Sequence, residues 1–297
     1  MYINDICKTS QVLKFILFAD DTNIFASDIP TMRIVTLGKT GSGKSSLANT
    51  LFREETFTVN HSANSQTQFC QSENKIINGT NIQLVDTPGF FDTDKQKDTE
   101  LKDELLKCII ECAPGAHAFL LTLKVEKFTA QEEAVVEQMM NYFSKEALKF
   151  TTVMFTHGDQ LPKGMKIEEW VKENKALNDL VQKCGGRCCV IDNKYWINSQ
   201  DQYRNNQNQI KQLLETIYKT IEENEGNCYT NDLLQKVQLM KEREKNHKAL
   251  FAKLKKILIG VGLGTLIGAL LGVGVEHSEV QIIRKCAKRN KVNANQL

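Results

Sequence analysis

Gly38, Gly43, Lys44 and Ser45 are spaced to hold phosphate. The run Gly38-Lys39-Thr40-Gly41-Ser42-Gly43-Lys44-Ser45-Ser46 fits G-x-x-x-x-G-K-[ST]. A glycine-rich turn at this spacing aims several backbone N–H groups at one point, and a helix start behind it adds the positive end of its dipole. Lys44 reaches the β- and γ-phosphates in such a loop, and the Ser45 hydroxyl ligates Mg²⁺. The contacts fall on Gly38, Thr40, Gly41, Ser42, Gly43, Lys44, Ser45 and Ser46. A chance glycine-rich turn is the competing explanation, and the flanking sequence argues against it. Met32 to Leu37 is apolar and β-prone, and Ser45 to Phe52 reads as a helix.

Three downstream boxes narrow the ligand from any nucleoside triphosphate to a guanine nucleotide. Leu84-Val85-Asp86-Thr87-Pro88-Gly89 ends a strand with D-x-x-G. Asp86 stands where a carboxylate can hold Mg²⁺, and the Gly89 N–H can sense a γ-phosphate because glycine lets the backbone approach closely. Alone this is ordinary turn composition; downstream of a P-loop it is a second site element. Phe155-Thr156-His157-Gly158-Asp159 ends a later strand. Asp159 can accept both the N1 and N2 protons of guanine, a pairing that adenine cannot offer. The usual guanine box is Asn-Lys-x-Asp, from which Thr-His-Gly-Asp departs. Asp192-Asn193-Lys194 follows the last short strand, where a side-chain amide could meet the guanine O6.

These boxes need a scaffold, and the pattern from Met32 onward supplies one. Strands alternate with helices, which predicts an α/β fold: a P-loop GTPase domain with a mostly parallel six-stranded sheet flanked by helices, followed by C-terminal helices. Cys70–Ile77 and Thr80–Val85 read as a hairpin about Asn78-Gly79, a pair that tolerates the positive φ of a two-residue turn. Asp98 to Cys112 is helical, with Leu101, Leu105, Ile109 and Cys112 on one face. Ala118–Leu123 and Thr151–Thr156 are buried strands. Thr129 and Glu132 can form a capping box for a helix between them. Lys166–Cys184 is mostly helix, Cys188–Asp192 a last strand, and Asn205–Glu223 a helix. Thr230–Lys256 reads as one charged amphipathic helix.

Composition excludes some partners. The 297 residues carry a formal net charge of +2, so nothing global points to nucleic acid. The nine cysteines are odd in number and scattered, which reads as free thiols in a reducing compartment. Lys183-Cys184-Gly185-Gly186-Arg187-Cys188-Cys189 lacks the partner pair that a zinc site needs.

From about Met32 to Asn231 the chain resembles the GIMAP family, the GTPases of immunity-associated proteins, relatives of septins and chloroplast import GTPases. The resemblance is carried by Gly38–Ser46, Asp86-Thr87-Pro88-Gly89-Phe90-Phe91-Asp92, Phe155–Asp159 and the run Cys112-Ala113-Pro114-Gly115-Ala116-His117-Ala118-Phe119-Leu120. In the family that run usually reads Pro-Gly-Pro-His; here Ala116 replaces the second proline. The resemblance implies GTP or GDP with Mg²⁺ as cofactors, Thr67 as the switch I threonine on γ-phosphate and metal, His157 stacking on the base, and Asn193 as the guanine asparagine. The metal set is then Ser45, Thr67 and Asp86. It also implies pairing of G domain to G domain across the nucleotide, so the first expected partner is a second copy.

Hydrolysis looks slow. Ras-like proteins place a water-orienting glutamine directly after D-x-x-G; here that position is Phe90, which cannot orient water, so no certain catalytic residue is assigned. Arg53, after the first helix, reads as a solvated charge rather than an arginine finger.

The two ends differ from the middle. Residues 1–28, with Phe18-Ala19-Asp20-Asp21, resemble a palm fragment of a non-LTR retroelement reverse transcriptase. There is no room for the rest of a polymerase before the P-loop strand, and two carboxylates without a scaffold are not a two-metal site. A transposon-derived exon or a gene-model fusion is the expectation, not a signal peptide. Ile257–Val275 is uncharged, with eleven Ile, Leu or Val residues against six glycines. At ~1.5 Å per residue it is long enough to span a bilayer. Gly260, Gly264, Gly268 and Gly272 would form one stripe on a helix. The alternative is a hairpin packed on the G domain.

The expected organisation is a leader over 1–29, a G domain over 30–231, an amphipathic helix over 232–256, a membrane segment over 257–275 and a basic tail over 276–297. The expected function is a GTP-dependent dimerising or scaffold-forming GTPase, cytoplasmic and membrane-attached through its C-terminus. A conventional cycling switch with separate effectors is the alternative.

Overall fold

The computed structural model describes residues 31–59, 69–89, 98–128, 145–197, 199–244 and 246–259. Residues 1–28, Thr67, Phe90, the Thr129–Glu132 capping box and residues 260–275 lie outside them, so the expectations placed there are neither met nor refuted. In chain order the elements are β1 (Thr31–Leu37), α1 (Lys44–Phe52), β2 (Gln71–Ile77), β3 (Thr80–Asp86), α2 (Asp98–Cys112), β4 (Ala118–Lys124), α3 (Lys145–Leu148), β5 (Thr151–Thr156), α4 (Ile167–Lys172), α5 (Lys175–Lys183), β6 (Cys188–Val190), α6 (Asn206–Glu223), α7 (Asp232–Arg243) and α8 (His247–Ile259).

The six strands form one sheet in the order β2-β3-β1-β4-β5-β6. Only the β2–β3 pair is antiparallel; β1 runs parallel to both β3 and β4, β4 to β5, and β5 to β6. The antiparallel pair turns through Asn78 and Gly79, at φ 51° and 78°, as the two-residue turn requires. The chain order reverses about β1, so the loop leaving β1 opens at the sheet's carboxyl edge, where α/β folds bind ligands.

Side chains of the central strands alternate between two cores, as the period of two dictates. Ile34, Leu84, Leu120 and Met154 point to the face covered by α1 and α6, where Leu47, Leu51, Leu213 and Ile217 are buried. Val35, Val85, Leu121, Val153 and Phe155 point to the other face. That face is covered by α2, α4 and α5, and also by α7 and α8 through Leu234, Val237, Leu250 and Leu254. Burying each such side chain contributes about 1.5–3 kcal/mol.

The stretch read as one helix over 230–256 is two. It breaks between Arg243 and His247, where the Asn246 side chain accepts the N–H groups of Lys248 and Ala249 at 3.0 and 3.3 Å and starts α8 as a capping residue. The break lets both helices fold back on α2. Lys241 Nζ donates to the Ile110 carbonyl at 2.8 Å, and Lys255 pairs with Asp103 at 2.5 Å. Lys166–Cys184 likewise divides into α4 and α5, with Asn174 capping the second by accepting from Leu177 N.

The run from Cys112 to His117 has a structural task. Ala116 and Tyr229 exchange backbone hydrogen bonds at 3.0 and 2.8 Å, and Thr230 Oγ1 donates to the Pro114 carbonyl at 2.6 Å. A Cβ on Gly115 would lie 2.2 Å from the Tyr229 carbonyl oxygen, so the close approach needs glycine. The Tyr229 ring then packs edge-on against Phe119 and Phe150. His117 Nδ1 accepts from the Arg33 N–H at 3.0 Å, which puts the ring proton on Nε2, and the Arg33 guanidinium donates to the Gly115 carbonyl. Burial, and then the Arg33 charge, lower the His117 pKa to about 4.

Candidate functional site

The phosphate loop lies where β1 feeds α1. Gly43 sits at φ 89°, with its Cβ position 3.1 Å from a Thr156 methyl. Thr156, at the end of β5, donates its hydroxyl to the Ser42 carbonyl at 2.8 Å and so ties the loop to the next box. Lys44 is almost fully buried, its ammonium donating to the Gly38 and Lys39 carbonyls at 3.2 and 3.0 Å. That curls the side chain back over the loop, the pose in which its charge faces whatever the loop encloses.

Ser45 and Asp86 meet as the spacing requires. Ser45 Oγ donates to Asp86 Oδ2 at 2.5 Å, and Thr36 Oγ1 donates to Asp86 Oδ1 at 2.8 Å. Asp86 has no solvent exposure. Burial pushes its carboxyl up, against the pull of the Ser45 hydroxyl, the Lys44 ammonium and the Thr36 hydroxyl. A fully buried carboxylate beside a serine hydroxyl is the oxygen donor set that Mg²⁺ takes, and a cation there would relieve the desolvation. Thr87 Oγ1 donates to the Thr36 carbonyl at 2.6 Å, fixing the strand end. Gly89 then runs against the P-loop: a Cβ there would stand 2.0 Å from Thr40 Oγ1.

The base end is looser. A cleft of about 1040 Å³ opens from Gly41–Ser46 along α1, past His157 and Asn193, to Gln207 and Ile210 of α6. Asn193 Oδ1 accepts from Thr50 Oγ1 at 2.9 Å, so the expected guanine asparagine is held against α1 within the cleft. His157 is exposed, in the left-handed region at φ 59°. Asp159 is not among the cleft's lining residues. Its carboxylate accepts from Gln160 Nε2 at 2.5 Å and lies beside Asp192. Partial burial, and then Asp192, raise its pKa.

Asp192 is a site residue that sequence reading passed over as a strand end. Its Oδ1 accepts from Lys194 N at 2.9 Å and Tyr195 N at 2.5 Å, and its Oδ2 from Asp159 N at 3.3 Å. Burial pushes this carboxyl up, but the backbone N–H groups outweigh it and hold it below its ordinary value. Asp192 thus gathers the loop after β5 and the loop after β6 onto one carboxylate. An Asp after a strand and before Asn-Lys was the available signal, since Asx turns form this way. Thr36 and Thr156 were missed too; buried threonines in strands carry no spacing signature. Arg53 rims the cleft at φ 53°, at the far end of α1 from Lys44.

Among the described residues the cysteines are free, Cys184, Cys188 and Cys189 among them. Their thiols are buried and pushed up, to about 12 for Cys184 and Cys188.

The sequence model of the AIG1 family matches residues 32–248. The chain belongs to the AIG1 family. The resemblance to the GIMAP GTPases is thereby upheld, and the match takes in α7 and the first two residues of α8. GTPase IMAP family member 8 of Mus musculus is 31% identical over 189 residues, covering 62% of this chain and 27% of that protein. Immune-associated nucleotide-binding protein 10 of Arabidopsis thaliana is 31% identical over 214 residues, covering 70% of this chain and 45% of that protein. The chain therefore spans less than half the length of these two relatives. Among solved structures, Toc33 from Arabidopsis thaliana in complex with Mg²⁺ and GMPPNP matches with a TM-score of 0.51 and 20% identity, over 69% of this chain and 89% of Toc33. That likeness is one of fold. The family match begins after residues 1–28, so it lends nothing to the retroelement resemblance.

Proposed function

We propose that this AIG1-family chain binds GTP and GDP with Mg²⁺ and works as a slowly hydrolysing, self-associating GTPase. The observation that carries the reading is the buried Ser45–Asp86–Thr36 chain beneath the curled Lys44. Ser45, Thr67 and Asp86 would hold Mg²⁺, which supplies charge neutralisation at the β- and γ-phosphates. Lys44 and the N–H groups of Gly41–Ser46 orient the phosphates, and the Gly89 N–H meets the γ-phosphate. Asp159, Asn193 and His157 take the base. Asp159 must swing from Gln160 into the cleft to do so.

Phe90 supports slow turnover, because a phenyl ring at that position cannot orient water. A second copy paired across the nucleotide is then the output, with GTP ordering the switch segments. The domain comprises residues 30–231 with α7 and α8 packed on its core; residues 257–275 attach it to a membrane from the cytosolic side. Among the described residues, no helix is long and apolar enough to cross a membrane. The test is the mass of the full chain in solution with GDP or with a non-hydrolysable GTP analogue, beside its GTPase rate at rising protein concentration. A dimer in the analogue with a concentration-dependent rate is expected. A monomer in both states with a constant rate would favour the conventional cycling switch.

A further inference from the structure

We infer that Asn49 is a positioning residue that holds the nucleotide cleft's outer wall in place and sets how long the ligand stays; this rests on the nucleotide reading above. Asn49 stands on α1 and lines the cleft, yet its amide is committed to the protein's own backbone. Its Oδ1 accepts from Thr56 N at 3.0 Å and Phe57 N at 2.7 Å, and its Nδ2 donates to the Phe57 carbonyl at 2.8 Å. Both acceptor positions are filled and one donor is used, so Asn49 acts on a ligand through the loop it grips.

That loop is the wall. Glu54, Glu55, Phe57 and Val59 line the same cleft. Phe57 is buried, its ring 5.6 Å from Phe52, which anchors the loop from below. One residue further, Thr58 and Gln71 clasp each other: Thr58 N donates to Gln71 Oε1 at 3.1 Å and Gln71 Nε2 donates to Thr58 Oγ1 at 3.2 Å. Asn49 fixes the inner side of the wall and Gln71 the outer side. Only an amide serves at position 49. Aspartate keeps both acceptors but sets an oxygen against the Phe57 carbonyl in place of a donor.

The experiment uses the full chain with Mg²⁺ and a fluorescent GDP analogue, following association and release separately, with melting of the nucleotide-free protein alongside. Asn49→Ala and Asn49→Asp should each release about tenfold faster, with association changed less than about twofold, as effects within one interface fall mainly on the off-rate. Gln71→Ala tests the same wall without touching α1 and should release about threefold faster. A lowered melting temperature with release unchanged in Asn49→Ala and Gln71→Ala would overturn the proposal, because a purely structural clamp does that. Failure of the unaltered protein to hold the analogue would overturn the nucleotide reading itself, and this inference with it.

Discussion

The two ends of the cleft are built differently. At the phosphate end the groups are buried and already partnered: Lys44 on two carbonyls, Ser45 and Thr36 on Asp86, Thr156 on the loop itself. At the base end Asp159 is turned toward Gln160, His157 is exposed, and the two loops meet through the Asp192 carboxylate and the Gly158 N–H on the Ile191 carbonyl. On the proposed reading, the phosphate end is fixed before any ligand arrives, whereas the base end is completed by one. Affinity should therefore come mainly from the first, and selectivity, with some cost of reorganisation, from the second.

The sharpest way to break this contrast is to remove the charge at the rigid end. Lys44→Ala should weaken GDP binding by about 100-fold or more, near 2.7 kcal/mol, measured by calorimetric titration with Mg²⁺. Next is the selector. Asp159→Asn should weaken GTP by roughly 30-fold and improve xanthosine triphosphate, since the amide offers a donor to the altered base edge; competition between the two nucleotides reads this directly. Asp192→Asn probes the join between the loops. It should weaken GTP by about tenfold while leaving pyrophosphate-containing ligands of other bases less affected, because it loosens the base end alone.

How much of this was legible in the sequence follows the same division. The P-loop, Asp86 and Gly89 could be placed because backbone geometry imposes fixed spacing on them. The strands and the Asn78-Gly79 turn came from alternation and turn chemistry, and α2 begins and ends where its periodicity does. The base end spreads over two loops, and Asp192, which joins them, has no spacing rule of its own. Thr36 and Thr156 read as ordinary strand residues because their hydroxyls matter only once distant segments pack. The Arg243–His247 break was hidden because Lys241–Lys248 is a run of charged and polar helix-compatible residues without Gly or Pro, although Asn246 carried the capping signal.

A separate effect, on stability and not on binding, lies away from the cleft, in the Cys112–His117 run. His117 is held neutral, its pKa lowered to about 4 from the ordinary 6.5 by burial and the Arg33 guanidinium. The native state resists a proton that the unfolded chain accepts, so the stabilisation is complete above pH 6.5 and is lost as the pH falls toward 4. The loss is at most about 3 kcal/mol by linkage. Urea unfolding at pH 7 and pH 5 should show the drop, and His117→Asn should flatten it.

The central claim is that a preformed phosphate end and an inducible base end together select a guanine nucleotide. Calorimetric titration of the full chain with GDP and then with ADP, both with Mg²⁺, tests it most directly. The account predicts GDP binding at least about 100-fold tighter than ADP, the discrimination expected when the Asp159 carboxylate loses its donor pair. Equal affinities for the two, or no binding of either, would contradict it.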